Sequence, residues 1–167
     1  KRVVACLTVK DGIVVQSVHF CRYLQVGSVV ISAQALYSWG IDEIIILDIL
    51  ASRQKRSVDA GLVTRVSKKI FVPLTVGGGI NSIDQIRRLV HCGADKVVFN
   101  TAAFKNPNLI TQAANIFGSQ CVVISVDVKK RKGDYEACTG GGTVATGRDP
   151  VSFAKRVESL GAGEIFL

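Results

Sequence analysis

The fold is decided by a stretch that occurs twice, as VVACLTVK in residues 3–10 and as VVISVDVK in residues 122–129. A second pair accompanies it, GIDEII in residues 40–45 and GAGEIF in residues 161–166. The two offsets, 119 and 121 residues, nearly agree, which favours an internal repeat over a chance likeness of short apolar strands. A unit of four strand–helix pairs used twice has the length of a (β/α)8 barrel, about 250 residues.

Around these stretches, short apolar runs alternate with helical patterns. Strands are predicted over residues 3–9, 43–48, 72–76, 96–100, 121–127 and 164–167. Helices are predicted over residues 31–39, 58–69, 82–91, 107–117 and 150–160, with Asn106 and Asp149 as N-caps before Pro107 and Pro150. Strands that are apolar on both faces indicate a parallel sheet covered by helices. An open doubly wound sheet and a TIM barrel both fit this α/β pattern, and the repeat favours the barrel.

The chain is predicted to be one partial TIM-barrel domain over residues 1–167. Residues 1–120 form a first half-barrel and residues 121–167 begin the second, so that the chain covers about strands 1 to 6. It contains no Met, even at position 1, and we therefore expect it to be part of a longer translated product.

The composition excludes several classes of protein. A chain of 167 residues that is 48% hydrophobic is not a disordered tail, and its apolar runs fall far below the ~18 residues of a membrane helix. Its five Cys form an odd number without C-x-x-C spacing. This argues against a metal site or a disulfide framework and favours reduced, mostly buried thiols in a cytoplasmic protein. No cofactor is indicated.

The net charge of +8 admits a nucleic-acid surface, a solvated basic face or a site for a phosphorylated metabolite. Basic residues are concentrated in predicted strand-to-helix loops, which share one face of a barrel: Lys10, Arg22, Arg53, Lys55, Arg56, Lys129, Lys130, Arg131, Lys132 and Arg148. Aromatic residues that would stack on bases are sparse among them. A small polyanion therefore fits better than a nucleic acid, although a solvated loop explains the run at 129–132 equally well.

Polar groups at the C-terminal strand ends are the candidates for chemistry, because barrel enzymes place their sites there. A triple glycine at residues 77–79 lets a phosphate approach backbone N–H groups, although a tight turn also explains it. Together with Asn100 and Thr101, Gly78 and Gly79 predict a phosphate cradle.

Proton transfer is assigned to a carboxylate at a strand end. Asp127 ends the fifth predicted strand, where partial burial raises the pKa of a carboxylate toward neutrality. Its counterpart in the repeat is Thr8, which cannot serve in that way. Asp48 is a second candidate, or it orients its own loop.

Charged residues of alternating sign stand at the opposite strand ends. Arg2, Glu43, Lys96 and Glu164 each lie at or beside the start of a predicted strand. In a barrel they would meet at the N-terminal mouth as a ring of ion pairs. Such a ring is either a structural plug or a gate on a polar path through the barrel.

These residues together resemble a known family, the HisF cyclase subunit of imidazole glycerol phosphate synthase. The similarity extends over the whole chain, in residues 1–12, 40–49, 76–80, 93–99, 100–103, 107–120 and 161–167. The resemblance implies a (β/α)8 barrel, a lyase of histidine biosynthesis, whose bottom face binds a glutamine amidotransferase subunit. Ammonia from that glutaminase would pass through the barrel to react with a phosphoribulosyl formimino carboxamide ribotide. The products would be imidazole glycerol phosphate and an aminoimidazole carboxamide ribotide.

The resemblance also implies roles for single residues. Gly79, Asn100 and Thr101 match the phosphate site of the family, and Asp127 matches one of its two catalytic aspartates. Arg2, Glu43, Lys96 and Glu164 match its ammonia gate, whereas Asp95 matches a residue that faces the partner.

The chain departs from the family pattern in several places. Thr8 stands where the second catalytic aspartate belongs, Gln16 replaces a lysine of the first loop, and residues 17–24 of that loop differ. Three hypotheses follow: a cyclase, an ammonia-channelling partner in the amidation of a nucleotide sugar for surface polysaccharide, and a non-catalytic piece of a longer chain. No membrane and no nucleic acid are expected as partners.

Overall fold

A computed structural model describes residues 1–18, 22–131 and 133–167. The chain divides into two compact units, which are described separately. The first contains residues Lys1–Ile80 and Asp84–Val97, and the second contains Asn81–Ile83 and Val98–Leu167. Cys21 among the thiols and Lys132 among the basic residues lie outside the described residues, as do residues 19 and 20 of the first loop.

Three consecutive strands open the chain, and strands and helices alternate from the third strand to the junction of the two units. They are β1 (Val4–Lys10), β2 (Ile13–Val18), β3 (Arg22–Ser28), α1 (Val29–Ser38), β4 (Glu43–Asp48), α2 (Ala60–Ser67), β5 (Leu74–Gly77), α3 (Ile83–His91) and β6 (Lys96–Phe99). The strands are ordered β6-β5-β4-β1-β2-β3. β4 pairs in parallel with β1 and β5, whereas β2 and β3 form an antiparallel hairpin beside β1.

Burial of apolar side chains stabilises the parallel strands of the first unit. In β4, every residue but Leu47 is buried, as two covered faces require. In β1, Leu7 and Val9 are buried, whereas Cys6 and Thr8 on the other face are more exposed. The register pairs Val4 with Glu43 and Thr8 with Leu47, so Thr8 and Glu43 lie on one face. Four residues of strand, about 13 Å, separate their levels.

The second unit contains the remaining elements. They are α4 (Thr101–Lys105), α5 (Asn108–Phe117), a 3-10 turn (Ser119–Cys121), β7 (Val122–Ser125), β8 (Asp127–Arg131), β9 (Asp134–Thr139), β10 (Val144–Arg148), α6 (Pro150–Ser159) and β11 (Glu164–Phe166). β11 pairs in parallel with β7, and β8, β9 and β10 form a separate antiparallel sheet. Phe104 of α4 stacks on Phe153 of α6 with ring centroids 3.7 Å apart.

The predicted α/β alternation is confirmed, and β4 has the predicted bounds. The prediction of a basic loop at 129–132 is wrong for Lys129, Lys130 and Arg131, which lie in β8. They are held there by antiparallel pairing with β9, which single-strand patterns do not reveal. Lys10, Arg22 and Arg148 also lie at strand ends rather than in loops.

One of the two predicted N-caps is confirmed. The carboxylate of Asp149 accepts the N–H of Ser152 at 2.7 Å and caps α6. Asn106 instead lies at the C-terminal cap of α4, a short helix that sequence periodicity did not predict. Pro107 therefore occupies the N-cap position of α5, without a side-chain hydrogen bond.

The thiols follow the prediction in part. Cys121 and Cys138 are buried and Cys92 is half-buried, but Cys6 is exposed because it lies on the less covered face of β1. All four are free. Within the described ranges, no group of three or more His, Cys, Asp or Glu side chains could hold a metal ion. No helix in the same ranges is both long and apolar enough to cross a membrane.

Candidate functional site

A buried ionic cluster lies at the start of β4 in the first unit. Glu43 is 2% exposed and Lys96 is 9% exposed. The Lys96 ammonium lies 3.1 Å from Oε1 and 3.0 Å from Oε2 of Glu43. The Thr75 hydroxyl donates to Oε1 at 2.9 Å, and Arg2 contacts Oε2 at 3.5 Å from the solvent side.

This cluster contains three of the four residues predicted as a ring. Burying an ion pair costs several kcal/mol of desolvation, so a pair of this kind is weak evidence for a purely stabilising role. Glu164, the fourth predicted member, begins β11 in the second unit and is half-buried, with Val123 as its strand partner. Its assignment to the ring stays a prediction.

Asp95, predicted to face a partner, lies exposed in the turn before β6. Its carboxylate accepts the N–H of Leu74 at 2.8 Å, and its own N–H donates to the Leu74 carbonyl at 2.9 Å. These two bonds fasten the turn to the start of β5. The residue thus has a structural role here, and contact with a partner stays a prediction.

The glycine triplet begins at Gly77, the last residue of β5, and its neighbours explain why glycine is required at the two positions that follow. Gly78 and Gly79 have φ of +125° and +66°. A Cβ on Gly78 would lie 2.5 Å from the Asp48 carbonyl oxygen, and one on Gly79 would overlap the Arg56 carbonyl. Close packing of the β4–α2 loop therefore suffices to require both glycines, which supports the tight-turn interpretation without excluding a phosphate.

Asp48 orients that loop. Its Oδ1 accepts the N–H groups of Leu50 and Ala51, both at 3.1 Å, and its Oδ2 lies 2.6 Å from Arg56. Asp48 is 7% exposed, so its carboxylate oxygens accept hydrogen bonds from the protein rather than from solvent. Hydrogen bonding to Asp48 in turn raises the pKa of the Arg56 guanidinium. The loop-orienting interpretation of Asp48 fits these contacts better than proton transfer.

A cavity of about 450 Å³ opens beside this loop. Three arginines and three aspartates line it, namely Arg56, Arg65, Arg88, Asp11, Asp48 and Asp59. Two of these arginines pair with lining aspartates, so the cavity carries no excess of positive charge.

Asp127 lies in a different environment, at the start of β8 in the second unit. It is half-buried, and this burial raises the pKa of its carboxyl group. Hydrogen bonds from the Gly142 N–H and the Asn100 side chain, together with the charge of Lys129, oppose the rise without cancelling it. A carboxylate in this setting can exchange a proton closer to neutral pH than an ordinary aspartate.

A second glycine triplet, whose Gly142 influences the pKa of Asp127, was missed by sequence reasoning. Gly140, Gly141 and Gly142 follow β9 with φ between +64° and +74°. The Gly140 N–H donates to the Thr101 hydroxyl oxygen at 3.3 Å, and the Thr143 hydroxyl donates to the Gly140 carbonyl at 2.8 Å. The signal was present in the sequence as TGGGT at residues 139–143, the same pattern that drew attention to residues 77–79.

The sequence profile of the histidine biosynthesis protein family matches residues 2–167. The chain belongs to this family. It is 48% identical to the imidazole glycerol phosphate synthase subunit HisF of Campylobacter concisus, over all of this chain and 66% of that protein. The HisF subunits of Methanocaldococcus jannaschii and Streptococcus sanguinis are each 44% identical, and this chain covers 69% and 67% of them.

These matches confirm the resemblance to HisF and, with it, the TIM-barrel fold class. The chain spans about two thirds of the length of these HisF relatives. This extent fits the prediction that the chain covers about strands 1 to 6 of the barrel, since β1, β4, β5, β6, β7 and β11 follow the predicted strand pattern.

Proposed function

We propose that this chain supplies the cyclase barrel of an imidazole glycerol phosphate synthase. In this proposal it is a lyase of histidine biosynthesis. It uses ammonia to convert a phosphoribulosyl formimino carboxamide ribotide into imidazole glycerol phosphate and an aminoimidazole carboxamide ribotide. Relatives at 44–48% identity that are named as subunits of this synthase support the proposal.

The observation that carries the proposal is the half-buried Asp127 with its raised pKa. Closing an imidazole ring requires protons to be removed from and returned to nitrogen and oxygen, and a carboxyl group poised in this way can do both. Thr101 supports phosphate binding beside it. Its oxygen accepts from the Gly140 N–H, which leaves the hydroxyl proton to donate to an anion.

The ammonia route is the second part of the proposal. The partner is a glutamine amidotransferase, and its ammonia enters past Arg2, Glu43, Lys96 and Glu164. The buried contacts of Lys96 with Glu43 support this, because a pair that is costly to bury suits a polar passage better than a packed core. Asp95 would face the partner. The proposed setting is the cytoplasm.

A second function is favoured by one specific residue, Thr8. It lies two residues before the end of β1, at the position where the family resemblance places a second catalytic aspartate, and a threonine hydroxyl does not ionise near neutral pH as a carboxyl group can. The alternative is therefore a barrel that passes ammonia to an enzyme amidating a nucleotide sugar, without cyclase activity of its own.

The experiment that separates the two functions supplies the full-length protein with the ribotide and an ammonium salt, without any glutaminase. Product from the natural chain, increased by about 10²- to 10⁴-fold in Thr8→Asp because a proton-transfer group is restored, supports the cyclase. If both forms fail to give product but stimulate a glutaminase subunit, the alternative is correct and the cyclase proposal is wrong.

A further inference from the structure

Two aspartates make the same pair of hydrogen bonds at the starts of two strands. The Asp42 carboxylate accepts the N–H of Val3 at 2.7 Å, and the Asp42 N–H donates to the Val3 carbonyl at 3.1 Å. Asp95 makes the same two bonds with Leu74, at 2.8 and 2.9 Å. We call each such pair of bonds an aspartate clasp. The first clasp fastens the start of β4 to that of β1, and the second fastens the start of β6 to that of β5.

The first clasp lies directly beside one side of the buried ionic cluster. Asp42 precedes Glu43 in the chain, and Val3 follows Arg2. The clasp therefore sets the alignment of β1 against β4 at the point where Arg2 contacts Oε2 of Glu43 at 3.5 Å. Because Glu43 is 2% exposed, its carboxylate has little room to adjust if the start of β4 moves.

The second clasp lies beside the other side of the cluster. Asp95 precedes Lys96, and Leu74 precedes Thr75. This clasp therefore sets the relative positions of the Lys96 ammonium, 3.0 Å from Oε2 of Glu43, and the Thr75 hydroxyl, 2.9 Å from Oε1. Each of the four side chains that meet in the cluster is thus adjacent in sequence to a residue of a clasp.

The clasp is not a general property of these turns. The clasped turns read GIDE at residues 40–43 and GADK at residues 93–96, and the corresponding turn in the second unit reads GAGE at residues 161–164. There the Gly163 N–H still donates to a strand carbonyl, that of Val122, at 3.0 Å. A Cβ on Gly163 would overlap a neighbouring backbone carbonyl, so no side chain can complete a clasp at this position. Side-chain clasps are therefore present at the two turns that lead into the buried ion pair.

We infer that Asp42 is a positioning residue for Glu43 in the proposed ammonia route, and that it is the counterpart of Asp95 on the other side of the cluster. The inference rests on the proposed function and deepens it. A buried ion pair repays the desolvation of its charges only where its geometry is good, so the alignment of the strand starts decides whether the pair holds. An anionic acceptor also gives a stronger bond to a backbone N–H than a neutral one does. Both aspartates are exposed, whereas the pair that they align is buried, so a clasp can be removed without changing a residue of the pair.

The first test removes the clasp with Asp42→Ala in the full-length protein, which is combined with its glutaminase subunit. The ratio of glutamine-dependent to ammonium-dependent product formation should fall about tenfold through a misplaced Glu43, because an external excess of ammonia depends less on an aligned entry. Asp42→Asn retains an acceptor oxygen and should recover most of the ratio. Asp84→Ala removes another exposed aspartate of the same unit, which pairs with Arg87 inside α3, and should leave the ratio unchanged. An unchanged ratio in Asp42→Ala would overturn the inference.

The second test needs neither turnover nor a partner, so it decides the inference even if the proposed cyclase function fails. Hydrogen exchange is followed by NMR at the Val3 N–H and at the Lys96 ammonium, whose burial slows its exchange with water. In Asp42→Ala both should exchange about tenfold faster, since the clasp and the alignment of Glu43 are lost together. Faster exchange at Val3 alone would show that Asp42 only fastens the turn, and would overturn the inference. If Asp42→Ala does not fold, Val3→Pro removes the donor of the same clasp and must give faster exchange at Lys96.

Discussion

The two polar clusters of this chain differ in how deeply their carboxylates are buried and in how many donors bind them. At the start of β4, Glu43 receives Lys96, Thr75 and Arg2, so its carboxylate is buried and saturated with donors. At the start of β8, Asp127 is only half-buried, and burial outweighs its donors in setting its pKa. Beside it, Asn100 carries an acceptor without a partner in the described chain. The first cluster is closed, whereas the Asp127 carboxylate of the second remains partly open to solvent and to a proton.

This difference assigns different kinds of work. A buried pair whose hydrogen bonds are satisfied resists conformational change, as a gate or a structural tie must. An unsaturated carboxylate with a raised pKa changes its charge readily, as proton transfer requires. Substitutions at the two clusters should therefore have different principal effects, on stability at the first and on activity at the second.

The largest effect is expected at Asp127. Asp127→Asn removes the proton-transfer group while retaining its size, and cyclase turnover should fall by about 10²- to 10⁴-fold. Asp134→Asn, an exposed change at the start of β9, is the control and should retain full activity. Steady-state product formation from ammonium measures both. Equal activity in the two variants would remove Asp127 from the mechanism.

The next effect concerns stability at the closed cluster. Lys96→Met leaves Glu43 buried without its ammonium partner, and we expect a loss of about 3–5 kcal/mol in the free energy of unfolding. Adding Glu43→Leu removes the stranded charge and should recover most of that loss. Urea denaturation of the full-length forms measures it. A loss below about 1 kcal/mol in Lys96→Met would mean that the cluster is hydrated rather than closed.

A smaller effect is expected in the first glycine turn. Gly79→Ala would place a methyl group against the Arg56 carbonyl at a φ of +66°, and should cost about 2–3 kcal/mol of stability. Gly12→Ala has a similar φ of +78° with nothing within 4 Å of the new atom, so it should cost only about 1–2 kcal/mol. Equal midpoints of thermal unfolding for the two variants would contradict the packing explanation.

The smallest effect is a pH dependence of stability. Burial raises the pKa of the Asp127 carboxyl group in the folded chain. The contribution of this group to stability is therefore fully present below its pKa in the unfolded chain, about 3.9, and is lost as the pH rises through its pKa in the folded chain. The natural chain should therefore lose stability relative to Asp127→Asn across that window. Urea titrations at several pH values measure the difference. A difference that does not vary with pH would show that the folded and unfolded pKa values are alike.

The sequence predicts best those strands that are defined by their own hydrophobic pattern. The run EIIILD at residues 43–48 is buried on both faces, so its pattern alone defines β4. The hairpin β2–β3 and the sheet β8–β9–β10 depend on pairing between strands. Their exposed basic residues, such as Lys129 and Lys130, resemble a solvated loop until the partner strand is known.

The candidate site shows the same division. Glu43 and Lys96 could be predicted because a charge at the start of an apolar strand is unusual and needs a partner. The effect of Asn100 and Gly142 on the pKa of Asp127 could not be predicted, because both lie more than ten residues away from it in sequence. The choice between proton transfer and loop orientation for Asp48 could not be made from sequence for the same reason, since only the contact with Arg56 shows that its carboxylate is bound within the loop.

The contrast between the two clusters is tested most directly by the pKa of the Asp127 carboxyl group in the full-length protein. Carboxyl carbon NMR with the Asp127→Asn variant for assignment gives this value without any substrate. The open, half-buried site predicts a pKa above the ordinary aspartate value of about 3.9. A value at or below the ordinary one would contradict the role of Asp127 in proton transfer.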